Sequence, residues 1–273
     1  MKRQPHIVET GKRTMDKRLS IVEAWIHLGD VPEPCPYLPD RVSTLRFVDG
    51  FAAAPMYRLL LDHGYRRSGC YAYRPVCQGC DECQSLRVPV ETFQMSKEQR
   101  RVWNRGRRIF EASITAPSFS KEKLDIYRRY LQYQHNDHKP KVDEPRYREF
   151  LVDSCLGGRT MEIQFRAGIR LACVGIVDRV DNALSSVYCF FDPDFARWSP
   201  GTYSALYEIY LVRRWGLQYY YMGFYIRDCA SMNYKIRYRP CELRRSHETQ
   251  WRVIPARAGK ISNQPQSGER ICE

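Results

Sequence analysis

No run of residues in this 273-residue chain approaches the ~20 consecutive apolar positions that a membrane helix needs. The N-terminal stretch MKRQPHIVETGKRTMDKRLS is basic but lacks an apolar core of signal-peptide length. Acidic residues are scarce: 31 Asp and Glu stand against 44 Lys and Arg, a formal net charge of +13. A deficit of that size favours a polyanionic partner over a merely basic surface. Internal repeats and low-complexity tracts are absent as well. The eleven cysteines are odd in number, so disulfides cannot pair them all. Without an export signal they point to a reducing compartment. A cytoplasmic location is expected, with no membrane partner. What is present is 43% hydrophobic content over a length that suits one large domain or two ordinary ones.

Composition divides the chain into four segments. Residues 1–31 read as an extension with one short amphipathic helix in SIVEAWIHLG, its apolar face carrying Ile21, Ala24, Trp25 and Leu28. The Pro-rich VPEPCPYLPDR, an extended loop or turn, leads into a region at 32–115 that is dense in Cys, Tyr, Arg and Pro. Residues 116–250 form the most legible part, and 251–273 a polar tail. Within 116–250, two helices (KEKLDIYRRYLQYQ and PRYREFLVDS) flank a polar loop. MEIQFRA, RLACVGIVDRV and LSSVYCFFDP follow as strands, parted by turns at Gly168 and at Asp181 and Asn182. SPGTYSALYEIYLVRRWG is a helix entered through Pro200, with Ala205, Ile209 and Val212 as its buried stripe and Gly216 as its stop. QYYYMGFY gives a fourth strand, DCASMNYK a short helix and IRYRPCEL an extended end. This order predicts an α+β fold, a mixed sheet with flanking helices.

Four constellations carry chemistry. CQGCDEC spaces Cys77, Cys80 and Cys83 as zinc and iron–sulfur sites do, with Cys35 or Cys70 available as a fourth ligand. A turn whose thiols meet no metal is the plainer alternative, and either role is structural. SKEQRRVWNRGRRIFEAS opens with Ser96 and Gln99 in capping-box order. It carries Lys97, Arg100, Arg101, Arg105, Arg107 and Arg108 against only Glu98 and Glu111. Such like charges repel by about 0.2–0.5 kcal/mol per pair, a cost that a phosphate backbone turns into attraction. Gly106 weakens this helix, and Trp103 either stacks on a base or, as the favoured reading, packs in the helix interface. RWSPGTYSAL sets Arg197, Gly201 and Thr202 at a helix start, where free N–H groups face an anion. It lacks the full Gly-rich pattern that cradles the pyrophosphate of coenzyme A. Last, YMGFYIRDCASMNYKIRYRP crowds Tyr221, Tyr225, Arg227, Asp228, Tyr234 and Lys235 at a strand end, a frequent site location.

Taken in order, CPYLPDR, GYRRSGCYAYRPVCQGCDECQSLRVPV, QRRVWNR, FFDPDFARWSPGTYSALYEI and YMGFYIRDCASMNYKIRYRP resemble the bacterial aspartate/glutamate leucyltransferases, relatives of the eukaryotic arginyl-tRNA–protein transferases. The resemblance covers most of the chain. It implies a cysteine-bearing N-terminal region and a GNAT-like C-terminal domain. It also implies transfer of an amino acid, leucine, from charged tRNA to proteins beginning with Asp or Glu, marking them for N-degron degradation. Departures exist: Cys35 is followed at Cys-x-x-Cys spacing by Leu38, and no adjacent cysteines replace Cys77, Cys80 and Cys83. The iron–sulfur cluster of the eukaryotic relatives therefore does not carry over directly. Arginine as donor, a coenzyme A-dependent acetyltransferase and a cysteine-site nucleic-acid-binding module remain the competing readings.

That reaction starts from an activated ester, so no cofactor is required for the chemistry. An α-amino group, with a reference pKa near 8, is partly neutral in the cytosol. Placing it beside the ester carbonyl supplies several kcal/mol. Tyr188, Tyr203 and Tyr225 are candidates for polarising the carbonyl or relaying a proton, a task the vicinal adenosine hydroxyl can also serve. An acidic first residue calls for bidentate arginine. Arg67, Arg74 and Arg227, with Tyr73, are the expected acceptor pocket. The cations from Lys97 to Arg108, together with Arg197, Gly201 and Thr202, are the expected tRNA contacts.

Overall fold

In a computed structural model of the chain, residues 17–135 and 141–256 are described. Expectations for residues 1–16, for the loop at 136–140 and for the tail beyond 256 lie outside them. The chain opens with α1 (Lys17–Ile26), β1 (His27–Pro34), β2 (Val42–Asp49), α2 (Gly50–Ala53), α3 (Tyr57–Asp62), β3 (Arg66–Ser68) and β4 (Tyr71–Pro75). The strands form an antiparallel sheet in the order β1-β2-β4-β3. Part of the Pro-rich stretch is thus a strand. Pro32 and Pro34 are tolerated because β1 is an edge, where a missing N–H need not break a ladder.

Helix α1 forms where expected but turns its other face inward. Leu19, Glu23 and Ile26 are buried, while Trp25 is 85% exposed and Ala24, Ile21 and Leu28 also face outward. Glu23 decides the orientation. It accepts from Tyr65 Oη at 2.5 Å and pairs with Arg74 at 2.7 Å, satisfying a carboxylate that burial would otherwise penalise.

The larger sheet takes strands from both halves of the chain. In sequence come β5 (Gln84–Pro89), α4 (Lys97–Ile109), β6 (Glu111–Thr115), α5 (Lys121–His135), α6 (Glu144–Tyr147), β7 (Thr160–Ala167), β8 (Arg170–Val180) and β9 (Ala183–Phe191). Then follow α7 (Pro200–Arg214), β10 (Tyr219–Tyr225), α8 (Ala230–Asn233), β11 (Cys241–Arg244) and β12 (Arg252–Ile254). Spatial order is β12-β11-β5-β10-β9-β8-β7-β6. β5 and β6, which composition assigned to the first region, are strands of this second sheet, and β5 lies between β10 and β11. The α+β expectation holds at this level: a mixed sheet with flanking helices.

Strand alternation buries both faces. On β8, Cys173 and Val177 pack toward α7, and an added Cβ on Gly175 would meet Ser204 and Glu208 of that helix. Val174 and Ile176 point the other way, toward Leu124, Ile126 and Tyr127 of α5. α7 buries the expected Ala205, Ile209 and Val212, and also Tyr203, Leu206 and Leu211, because α4 covers its second side. Gly106 allows that close approach: a Cβ there would stand 2.2 Å from the Tyr203 ring. Among the described residues no helix is long and apolar enough to cross a membrane.

Ion pairs lock the two sheets together. Arg67 of β3 donates from Nε and Nη2 to both oxygens of Asp178 on β8 at 2.8 and 3.0 Å. Nearby, Asp62 takes Arg58, Arg87 and the Tyr221 hydroxyl, and Arg87 reaches on to Glu242.

Candidate active site

Among the described residues, β9 and β10 are the one parallel pair in the larger sheet, joined by the α7 crossover that parallel strands require. Their ladder covers only Tyr219–Tyr221 against Ala183–Ser185. Just beyond it each strand carries a bulge. Val187 of β9 is the extra residue opposite β8, between the pairs Ile176–Tyr188 and Val177–Ser186. Met222 of β10 is the extra residue opposite β5. Bulges bend a strand and end its pairing, so the two strands part into a fork. α7 begins at the open end, with Gly201 3.8 Å (from its ideal Cβ) from the ring of Phe191, the last residue of β9.

Two cations stand in the fork. Arg66 of β3 donates from Nη1 to Ser185 Oγ at 3.3 Å and from Nη2 to the Ser186 carbonyl. It lies against Gly223, where a Cβ would sit 3.3 Å from the guanidinium carbon, and where φ of +84° also favours glycine. Lys235, just after α8, is buried and donates from Nζ to the Phe224 carbonyl at 2.9 Å. Burial, with Arg66 adding to it, lowers the Lys235 pKa to about 7. On the α7 side, Glu208 accepts from Ser204 Oγ at 2.8 Å and from Tyr220 Oη at 2.6 Å. Burial raises its carboxyl to about 7.

A cavity of about 220 Å³ adjoins the fork. Its wall includes Tyr37, Leu38, Phe47, Tyr73 and Phe224, with Cys35, Cys77, Cys80 and Cys83 on one side. The four thiols thus converge, and burial together with Cys77, Cys35 and Cys80 pushes Cys83 up to about 12. Their chemistry suits a soft metal but their geometry does not. Cys77 Sγ takes the Thr44 N–H at 3.3 Å, and Cys80 Sγ faces Arg41 at 3.5 Å. Among the described residues no group of three His, Cys, Asp or Glu is placed to hold a metal ion.

The other expected site residues scatter. Tyr188 packs edge-on against Tyr127, Tyr130 and Phe150 on the α5 face, whereas Tyr203 packs with Trp103, Phe110 and Phe165 on the α7 face. They lie on opposite sides of the sheet, so they do not share one reacting centre. Tyr225 ends β10, half-buried beside the fork. Arg67 and Arg74 are committed to Asp178 and Glu23, and Arg227 is exposed. Tyr73 does reach the cavity, and its β3 partner across the strands is Arg66. Sequence reasoning missed Arg66 because strand alternation sends it and Arg67 to opposite faces, which only register reveals.

The basic helix forms as expected. Ser96 Oγ accepts the Gln99 N–H at 3.2 Å, and the Gln99 side chain accepts the Ser96 N–H at 2.9 Å. Lys97, Arg100, Arg101, Arg105, Arg107 and Arg108 are all exposed. An open depression of about 450 Å³ is lined by Arg101, Asn104, Arg105, Arg108 and Ile109. Trp103 lies in the helix interface against Tyr203, Tyr207 and Tyr210. At the start of α7, Ser199 makes no side-chain cap, Gly201 and Thr202 are half-buried, and Arg197 lies over the Trp198 ring.

The family model for the N terminus of arginine-tRNA-protein transferase matches residues 33–101, and that for its C terminus matches 122–245. The chain belongs to the arginine-tRNA-protein transferase family. Within it, the aspartate/glutamate leucyltransferase of Pseudomonas aeruginosa is 39% identical over 223 residues, spanning 78% of this chain and 90% of the relative. That of Hahella chejuensis is 35% identical over 215 residues, spanning 77% and 90%. Among solved structures, FemX gives a TM-score of 0.47 at 7% identity over 85% of this chain and 89% of that chain, too distant to add to the assignment. Both family segments build the fork: Arg66 falls in the first, Gly223 and Lys235 in the second.

Proposed function

We propose that this member of the family transfers leucine from charged tRNA to the N-terminus of proteins beginning with Asp or Glu, marking them for degradation, and that the reaction takes place at the β9/β10 fork. The carrying observation is the fork itself, opened by the bulges at Val187 and Met222 beside the start of α7. A GNAT-type acyltransferase binds its donor's phosphates at a helix N-terminus that follows a central strand, and α7 begins in that position after β9. α4 packs on α7 at Gly106 and Tyr203, so its exposed cations adjoin that helix start. An acceptor arm lying along α4 would bring its terminal ester to the fork. The cavity beside the fork is predominantly apolar and aromatic, with one carboxylate, Glu33, and one cation, Arg41, on its lining, a balance that suits leucine better than a second guanidinium.

The acceptor's neutral α-amine attacks the ester carbonyl, and the C–N bond forms as the C–O bond to the terminal adenosine breaks. The amine's proton goes to the departing ribose hydroxyl. Because the ester is already activated, the protein's task is to position both partners and keep water out.

Incubating the purified protein with leucyl- and arginyl-tRNA and with peptides starting in Asp, Glu or Ala tests this reading. Mass spectrometry is expected to find leucine on the Asp and Glu peptides only. Added arginine, or no added residue, would overturn it.

A further inference from the structure

We propose that Arg66 and Lys235 together bind the side-chain carboxylate of the acceptor's first residue and so set its preference for acidic termini. This rests on the function proposed above and deepens it. Both cations are fixed by consecutive residues of β10, Arg66 against Gly223 and Lys235 on the Phe224 carbonyl. They come from different elements, one from the small sheet and one from the turn after α8.

Neither has a carboxylate partner among the described residues. The hydrogen bonds of Arg66 go to Ser185 and Ser186, and those of Lys235 go to the Phe224 carbonyl and to Met232 Sδ at 3.6 Å. By contrast, the buried Arg67, Arg74, Arg87 and Lys123 each hold an Asp or Glu. Lys235 is buried without an anion, which is costly, and Arg66 beside it is half-buried. Two held side by side repel, and an incoming carboxylate relieves both terms at once. Gly223 supplies the room, since any side chain there would displace the guanidinium. Because Arg66 also grips Ser185 and Ser186, where β9 leaves its partner, the α-amine, on the same Cα as the bound side chain, lies at the mouth of the fork.

Equilibrium binding without tRNA isolates the pocket from the chemistry. Peptides labelled at the C-terminus and starting with Asp or Asn would be titrated against the wild type, Lys235→Met and Arg66→Gln, with folding checked by circular dichroism. The wild type is expected to bind the Asp peptide about tenfold to a hundredfold more tightly than the Asn peptide, and either variant to lose most of that ratio. A wild-type ratio near one overturns the proposal whether or not the variants fold. A folded variant that keeps the wild-type ratio overturns it too, and would make Lys235 a neutral cap on the end of β10. If the wild type transfers no leucine yet shows a ratio that the variants lose, the pocket stands and the proposed function falls. If transfer occurs and the variants keep the ratio, the function stands and the pocket falls.

Discussion

Tyr220 donates to Glu208 at 2.6 Å, tying α7 to the strand that makes one arm of the fork. No cation among the described residues shares that site. The carboxyl is surrounded by hydroxyls and apolar groups, and its raised pKa follows from burial. The folded state therefore holds a proton that the unfolded chain releases between pH 4.5 and about 7. Stability contributed by that proton is present below the unfolded value and lost as pH rises through about 7. Glu208→Gln keeps an uncharged group in place. Its melting temperature should exceed the wild type's by a few degrees at pH 8 and match it near pH 4.5, by calorimetry.

Lys235 should show the opposite slope. Its folded pKa of about 7 lies below the ordinary 10.5, so the unfolded chain binds the extra proton across that window. Of the groups facing it, the Arg66 guanidinium lowers the value, while the Cys229 and Cys83 side chains oppose that shift. Stability is least below about pH 7 and recovers as pH rises toward 10.5. Lys235→Met should raise the melting temperature at pH 6 and lose that advantage by pH 10.

Arg67 tests whether a buried arginine belongs to the site or to the frame. Both it and Asp178 are buried, and Thr160 Oγ1 donates to the same carboxylate at 2.7 Å. Arg67→Met leaves that carboxylate without its cation, so chemical denaturation should find about 3–5 kcal/mol less stability. Peptide binding at a temperature where the variant stays folded should keep its preference for Asp over Asn.

The helix α4 should govern affinity for tRNA and little else. Replacing Arg101, Arg105 and Arg108 with Gln removes the cations around the open depression and touches no core residue. The slope of log affinity against log salt should flatten by about 2–3, at roughly 0.7–0.9 per lost phosphate contact. Transfer at saturating tRNA should fall far less than affinity does. Filter binding across a salt series measures the slope.

Much of this was legible beforehand, and physics says where the reading stopped. The run from β7 to β10 could be bounded within a residue or two because alternation and turn residues agree there. The strand QSLRVP escaped notice because it is short and buried along nearly all its length, with no alternation to mark it. Its neighbours β10 and β11 also lie far along the chain. α1 was found but turned over, since an apolar stripe normally faces inward and here Glu23 does. Among the cations, residue type pointed to arginines near the cysteines, but it could not separate those held by a carboxylate, such as Arg67 and Arg74, from Arg66, which is not. Partnership is a property of contacts between distant segments.

The placement of β5 limits how this protein can be taken apart. The last two strands reach the rest of their sheet only through a strand contributed by the N-terminal half. A gene cut anywhere between the two matched segments would leave one product with a missing rung and the other with an unsheltered, adhesive edge. Chimaeras between relatives should therefore exchange β5 together with β10 and β11, whatever boundary the matched segments suggest.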